Sequence, residues 1–372
     1  MENSTRLSTE TLINELQSFG ARLVDPSAGH ESRRGGAGPS DHKAITIDGM
    51  TVMVPVHTAP AFESPYLVEK PDDAGNSRIS RDGKVLGEVS FPLRPRFYER
   101  STSDGIPFSQ IAVLHGRDVL ATTVLQTCIR YQSRTKTCQF CAIGQSLAAG
   151  RTVAHKTPQQ LAEVAKAAVE LDGVKHMVMT TGTPKGDDRG AAVLAESARA
   201  IKAAVDLPIQ AQCEPPEDDI WFSRMKEAGV DALGMHLEVV TPEIRARIMP
   251  GKAQVPIEKY MRSFKAAVKV FGRGQVSTYI LAGLGDTREA ILDICTQLVE
   301  IGVYPFVVPF VPISGTPLES HPAPKPDFMH SILGPLSKML VESGLKAVDI
   351  KAGCGKCGAC SALSTYERML SK

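Results

Sequence analysis

The chain is short of several things, and each shortage narrows what it can do. Aromatic residues make up 5% of its 372 residues, with a single tryptophan. That argues against an extended stacking platform for single-stranded nucleic acid. Neither sign of charge prevails: 42 Lys and Arg against 41 Asp and Glu leave a net +1. Bulk charge therefore gives no nucleic-acid or membrane-binding face. Long apolar runs are missing as well. The longest, Val303 to Ile313, spans 11 residues and contains three prolines, far below the ~20 needed to cross a bilayer. The opening Met1-Glu2-Asn3-Ser4-Thr5-Arg6 is polar, unlike a secretory leader, so a cytoplasmic location is expected. Cysteines number eight, few for a disulfide scaffold of this length. Yet six of the eight fall in two tight groups, and these are where chemistry is to be sought.

The organisation changes along the chain. Ser8 to Phe19 has Leu12, Ile13, Leu16 and Phe19 at helical spacing. A loop rich in Arg and Gly covers Arg33 to His42; it reads as a linker or, through its amides and arginines, an anion-binding loop. Two hairpins follow. Asp48-Gly49 joins Ala44–Ile47 to Met50–Val56, and Asp82-Gly83 joins Arg78–Arg81 to Lys84–Phe91, Asp-Gly being a strong two-residue turn signal. Residues 1–110 thus read as a small α+β module. From Val119 onward, short apolar runs alternate with helical patterns. The expected strands are Val119–Thr127, His176–Thr180, Pro208–Gln212, Ala232–Leu237, Gln275–Leu281 and Phe306–Pro312, each followed by a helix. Six such units predict a parallel sheet with right-handed crossovers. No Gly-x-Gly-x-x-Gly follows the first strand, so a partial (β/α)6 TIM-like barrel over residues 111–345 fits better than a dinucleotide fold. Residues 346–372 form a Cys-rich tail. In such barrels the chemistry sits at the C-terminal strand ends.

The first strand runs into Cys128, and the next loop supplies Cys138 and Cys141, a C-x9-C-x2-C spacing. Three thiolates at a barrel mouth can hold three irons of a 4Fe–4S cluster and leave the fourth open. Zinc usually takes four ligands, and no fourth Cys or suitably spaced His follows in the loop. The tail carries a second group, Cys354, Cys357 and Cys360, spaced C-x2-C-x2-C among glycines. This matches the first three ligands of the ferredoxin run, with Ser364 where the fourth would stand. An auxiliary iron–sulfur cluster is the favoured reading, a zinc knuckle the other. Its fourth ligand would be Cys213 or, as the poorer candidate, Cys295, or else exogenous sulfide or the substrate. Cys295 lies in the apolar helical pattern of Ile291, Ile294 and Leu298 and reads as core. Arg130, Arg134 and Lys136 read as a solvated face or, functionally, as groups that shield or dock on the cluster or contact an electron donor.

The cysteines after strand one, with Phe140 before the third, resemble the radical S-adenosylmethionine (radical SAM) superfamily, although its first two cysteines are usually three residues apart rather than nine. Later strand ends strengthen the resemblance. Met179 to Pro184, then Asp187 to Ala191, resemble lipoyl synthase. Met235-His236-Leu237-Glu238 is similar to the ribose-binding strand end of biotin and lipoyl synthases, with His in place of Asn. Gly283-Leu284-Gly285-Asp286-Thr287 and Val311 to Leu318 resemble segments of the same enzymes. Most of the chain, through segments such as Asp118 to Cys128, Pro305 to Pro312 and Ala352 to Cys354, resembles the radical SAM family of nitrilase-associated bacterial gene clusters.

This resemblance implies a radical SAM enzyme that uses a 4Fe–4S cluster and SAM to form a 5′-deoxyadenosyl radical. The radical would abstract hydrogen from a small-molecule substrate, with a link to nitrile metabolism. Cys128, Cys138 and Cys141 would hold the cluster. Thr181, Gly182, Thr183 and Glu214 would lie around the methionyl group, His236 and Glu238 at the ribose, and Phe140 at the adenine. Lys252, or else Arg247, would meet the SAM carboxylate; Gly283 and Gly285 would complete the site. A reductant such as flavodoxin or ferredoxin would be a partner; nucleic acid and membrane would not. Sulfur insertion is the alternative reaction. A non-catalytic iron–sulfur or zinc electron carrier or scaffold is the alternative from another class.

Overall fold

The structure, a computed structural model, describes residues 7–28, 41–131, 133 and 135–370. Arg134 and residues 33–40 of the Arg- and Gly-rich loop lie outside the described residues.

Two sheets organise the chain. The first contains β1 (Arg22–Leu23), β2 (His42–Ile47), β3 (Met50–Pro55), β4 (Tyr66–Val68), β5 (Asn76–Arg81) and β6 (Lys84–Ser90), in the order β1-β4-β5-β6-β2-β3. Both expected hairpins are present. Their turns place Asp48 and Gly49 at φ 48° and 76°, and Asp82 and Gly83 at φ 49° and 82°, the double left-handed conformation of a type I′ turn. The helix Thr9–Phe19 lies against β3 with Leu12, Ile13 and Leu16 inward.

The second sheet contains β7 (Val113–His115), β8 (Val119–Thr123), β9 (His176–Thr180), β10 (Ile209–Gln212), β11 (Ala232–Gly234), β12 (Val276–Ala282) and β13 (Val303–Pro309). Their order is β13-β12-β11-β10-β9-β8-β7. β8 to β13 are all parallel, and each is followed by a helix. β7 and β13 are the two ends of the sheet and do not pair with each other: this is the α/β partial barrel that the six units predict. Helix boundaries follow local chemistry. Thr157 and Gln160 form a reciprocal capping box on Pro158–Asp172, and Gly173 ends it at φ 63°.

Three expectations need correcting. The sixth strand is Val303–Pro309, three residues earlier than expected. Pro305 and Pro309 fit inside it because β13 is an edge strand, where a missing N–H is tolerated. The fourth strand stops at Gly234 instead of Leu237: its regular pairing with β12 breaks there and resumes only as an isolated bridge at Glu238, whose φ is +64°. The first ends at Thr123 instead of Thr127, and β7, which pairs antiparallel with it, carried no alternating pattern long enough to read.

One apolar core runs from Leu12 to Tyr366 and includes residues of both sheets. The C-terminal segment is held between them. Met53 N–H donates to the Ala359 carbonyl at 2.7 Å, and Gln17 Nε2 donates to the same oxygen at 3.1 Å. The fold thus brings the chain's last cysteines against the N-terminal ends of strands in a barrel that begins over 200 residues earlier in the sequence, where their segment meets His176 of β9 and Gln210 of β10.

Candidate functional site

Cys128, Cys138 and Cys141 line one cleft of about 320 Å³ at the C-terminal ends of β8 to β11. The loop that carries them is tied to the barrel by its backbone. Ile129 N–H donates to the Thr183 carbonyl at 2.9 Å, Gln139 N–H to the Ile248 carbonyl at 2.8 Å, and Gly251 N–H to the Lys136 carbonyl at 3.1 Å. Burial pushes the Cys141 thiol up to about 12 and the Cys138 thiol well above its ordinary value. Without a metal these thiols are neutral; binding of iron would displace their protons.

The rest of this cleft is charged and ordered. Arg130, 8% exposed, is not a solvated cation, as its sequence neighbourhood suggested. Its Nε and Nη2 each donate to a Glu214 carboxylate oxygen at 2.7 Å, and its Nη1 donates to the Gly251 carbonyl. Thr183 Oγ1 donates to Glu214 at 2.9 Å. Burial opposes the Glu214 charge, but Arg130, Lys252 and Thr183 together hold its carboxyl below the usual range. The correction has a physical cause: a nine-residue insertion can return one arginine to the barrel while Lys136 stays exposed.

Lys252 Nζ donates to Glu238 at 2.7 Å, both partners being largely buried. Burial opposes the ammonium, but Glu238, with Tyr260, Glu214 and Cys138 beyond it, holds it above its ordinary range. Glu238 is fixed by its neighbours on both sides. Its N–H donates to the Tyr279 carbonyl, its own carbonyl accepts from Leu281 N–H, and Arg245 Nη1 grips the flanking Leu237 and Val239 carbonyls. His236 accepts Tyr279 N–H on Nδ1 at 3.2 Å. Burial, helped by Lys252, pulls its pKa down to about 3, so the ring is neutral.

Thr181, Gly182 and Thr183 line the same cleft. A Cβ on Gly182 would come within 2.2 Å of the Thr127 carbonyl; the cysteine loop crosses the end of β9 too closely for a side chain there. Phe140 lies on the wall as well. Thr123, 1% exposed, also contributes, and its hydroxyl has no hydrogen-bond partner among the described residues. Three soft thiol donors, an ion pair and an unsatisfied hydroxyl around one cavity fit an iron–sulfur cluster with a polar, zwitterionic ligand. Gly283 and Gly285 do not line this cleft: Gly283 packs on Pro324, and Gly285 faces Arg247 and Ile244.

A second cleft, also about 320 Å³, adjoins the first and shares Phe140, Thr180, Gln212, His236, Glu238 and Ile313 with it. Its far end reaches Cys354 and Cys360. Gln212 Nε2 donates to Cys354 Sγ at 3.2 Å, the Cys354 N–H donates to Gln210 Oε1 at 3.2 Å, and His115 Nε2 lies 3.6 Å from Cys360 Sγ. Tyr279 also lines this cleft, and its pKa is well above its ordinary value, through burial first and the neighbouring Cys354 and Cys360 thiols second. Gly353, at φ +105°, is obligatory: a Cβ there would lie 2.1 Å from the Gln210 side chain.

Cys213 does not join this group. It lies in the first cleft, buried, with its thiol pushed up to about 12 by burial and then by Glu214 and Asp188. The reason is strand alternation: Gln210 and Gln212 point to the tail cysteines, and Cys213 falls on the other parity. Cys295 is fully buried core. Sequence reasoning missed Gln212, Tyr279 and His115, and it favoured a solvated Arg130 over a role at the cluster. The available signal was Gln-x-Gln in a short strand, two polar groups at period two facing the barrel interior. Among the described residues, no three His, Cys, Asp or Glu side chains converge on a single-ion site, and no helix is long and apolar enough to cross a membrane.

A parallel partial barrel with a thiol triplet at its mouth defines a class, and comparison with known proteins gives that class its name. Residues 135–298 match the model of the radical SAM superfamily, a superfamily of enzymes; the chain carries a radical SAM domain, and this implies a 4Fe–4S cluster and SAM. It is 25% identical to bacteriochlorophyllide c C-7(1)-hydroxylase of Chlorobaculum limnaeum over 61% of each chain. It is 28% identical to lipoyl synthase of Marinobacter nauticus over 45% of this chain and 47% of that one. The chain therefore spans less than two thirds of the length of these curated relatives. Among solved structures, methylornithine synthase aligns with a TM-score of 0.48 and 16% identity, covering 66% of this chain and 69% of that one.

Proposed function

We propose that this chain reductively cleaves SAM and uses the resulting 5′-deoxyadenosyl radical to abstract hydrogen from a small, largely apolar substrate. The observation that carries this reading is the placement of all three loop cysteines beside the Lys252–Glu238 pair in one cleft. Bound there, a 4Fe–4S cluster with SAM supplies one-electron cleavage of the sulfonium, giving methionine and the radical.

The chain's own residues bind and orient. The three thiols hold three irons. Lys252 offers a cation to the SAM carboxylate and Glu238 accepts from ribose hydroxyls. Thr181 to Thr183 present backbone groups to the methionyl amine, and Phe140 gives the adenine an apolar wall. The second cleft, lined by Met53, Val178, Leu281, Val308 and Phe310, receives the substrate and excludes water from the radical. Cys354, Cys357 and Cys360 hold an auxiliary iron–sulfur cluster at its far end. A soluble one-electron donor such as flavodoxin or ferredoxin supplies the electron, in the cytoplasm. The nitrile link rests on sequence resemblance alone.

Sulfur insertion is the second reading, favoured by one observation: the tail cysteines face the same cleft as the substrate. Anaerobic protein with both centres loaded, given reductant and SAM, should release methionine and 5′-deoxyadenosine. No release above protein-free controls from fully loaded protein would refute the proposal. Loss of iron and sulfide in step with product would favour sulfur insertion.

A further inference from the structure

The tail cysteines number three, and the fourth ligand expected from sequence, Cys213, lies in the other cleft. What faces them instead is the turn between β7 and β8. His115 ends β7, and its Nε2 lies 3.6 Å from Cys360 Sγ. Gly116 follows at φ +61°, and a Cβ there would stand 3.4 Å from Cys357 Sγ. Two consecutive residues of one turn thus abut two of the three thiols. The third thiol, on Cys354, accepts from Gln212, whose amide hydrogen donates to sulfur and leaves the ligand position to another group.

We infer that His115 is the fourth protein ligand of the C-terminal centre, making it a Cys3His site closed by the barrel's own first hairpin. This rests on the reading of Cys354, Cys357 and Cys360 as iron–sulfur ligands. The donor chemistry suits it. A neutral imidazole replaces a thiolate at iron–sulfur centres and raises their potential by removing a negative charge. It also accounts for the position of His115, which is 8% exposed and on the wall of the substrate cleft. A centre closed in this way presents no open iron to the substrate. It serves as an electron relay or sink, in contrast to the first centre.

The ring nitrogen can be read directly. Full-length protein carrying Cys128→Ala, Cys138→Ala and Cys141→Ala keeps only the C-terminal centre. Loaded anaerobically with iron and sulfide, it should hold about four irons per chain for a cubane. After reduction, pulsed electron paramagnetic resonance should show a directly coordinated nitrogen, and labelling with ¹⁵N-histidine should change that coupling. His115→Ala should abolish the coupling; His115→Cys should keep the iron and lose the nitrogen. The labelling arm needs no His115 variant, so it stands even if such variants fold poorly. About four irons with no coordinated nitrogen overturns the inference and leaves the auxiliary cluster intact. No iron, or zinc in its place, overturns the auxiliary-cluster reading, and the inference with it.

Discussion

The two ends of the joined clefts use the same donor type in opposite surroundings. Around Cys128, Cys138 and Cys141 the wall is ionic: Arg130 with Glu214, and Lys252 with Glu238. Around Cys354, Cys357 and Cys360 the groups that meet the sulfurs are Gln212, Tyr279 and His115, with Gln210 on the Cys354 amide and Asp118 as a nearby charge. Ion pairs in a partly buried cleft are costly to assemble unless something charged is to be bound there. Neutral hydrogen-bond donors instead settle sulfur without drawing in a charged ligand. The contrast teaches that three thiols do not define a role; the groups around them do.

The largest expected effect separates the triplets by chemistry. Cys138→Ala should reduce SAM cleavage to the level of controls, whereas Cys357→Ala should keep cleavage measurable in the absence of substrate. Equal loss in both, at full iron occupancy of the remaining centre, would erase the distinction. Next comes the ionic wall. Glu214→Ala leaves Arg130 buried without its carboxylate, a change that costs about 3–5 kcal/mol when a buried pair is broken. Thermal unfolding should show a clear fall in midpoint, and an unchanged midpoint would mean that the pair is solvated.

A smaller effect concerns pH. His236 is held near 3, below its unfolded value of 6.5. Below pH 6.5 the unfolded chain takes up a proton that the folded chain refuses, so this contribution is present above 6.5 and is lost progressively as pH falls towards 3. His236→Asn should therefore flatten the acid dependence of the thermal midpoint relative to wild type. An identical slope in both would remove His236 as a cause. The smallest effect is expected at Lys136, on the same insertion as Arg130 but exposed. Lys136→Ala should change stability by no more than about 0.5 kcal/mol and leave iron content unaltered. A loss comparable to that of Glu214→Ala would show that the whole insertion, and not Arg130, carries the order.

Much of the architecture was legible because local signals agreed with the fold. His176–Thr180 and Ala191–Ala204 have the boundaries expected from sequence, since an apolar run and a 3.6-residue period each end at clear breaks. The Asp-Gly turns placed both hairpins. What failed depended on tertiary position. The sixth strand reads from sequence as Phe306–Pro312 instead of Val303–Pro309, because the edge position that tolerates Pro305 is not visible there. Arg130 looked solvated, because its partner Glu214 is 84 residues away. Cys213 looked like a ligand for the tail, because strand parity at the end of β10 was unknown. His115 gave no signal at all: its meaning depends on a segment about 240 residues further along the chain.

The central claim is that only the first triplet forms a centre open to SAM. Two full-length variants test it, one with Cys128, Cys138 and Cys141 replaced by Ala and one with Cys354, Cys357 and Cys360 replaced. Each is loaded with iron and sulfide, reduced, and examined by electron paramagnetic resonance with and without SAM. The account predicts that SAM alters the spectrum of the variant that keeps Cys128, Cys138 and Cys141 and leaves the other unchanged. A spectrum altered by SAM only in the variant that keeps Cys354, Cys357 and Cys360 would contradict it.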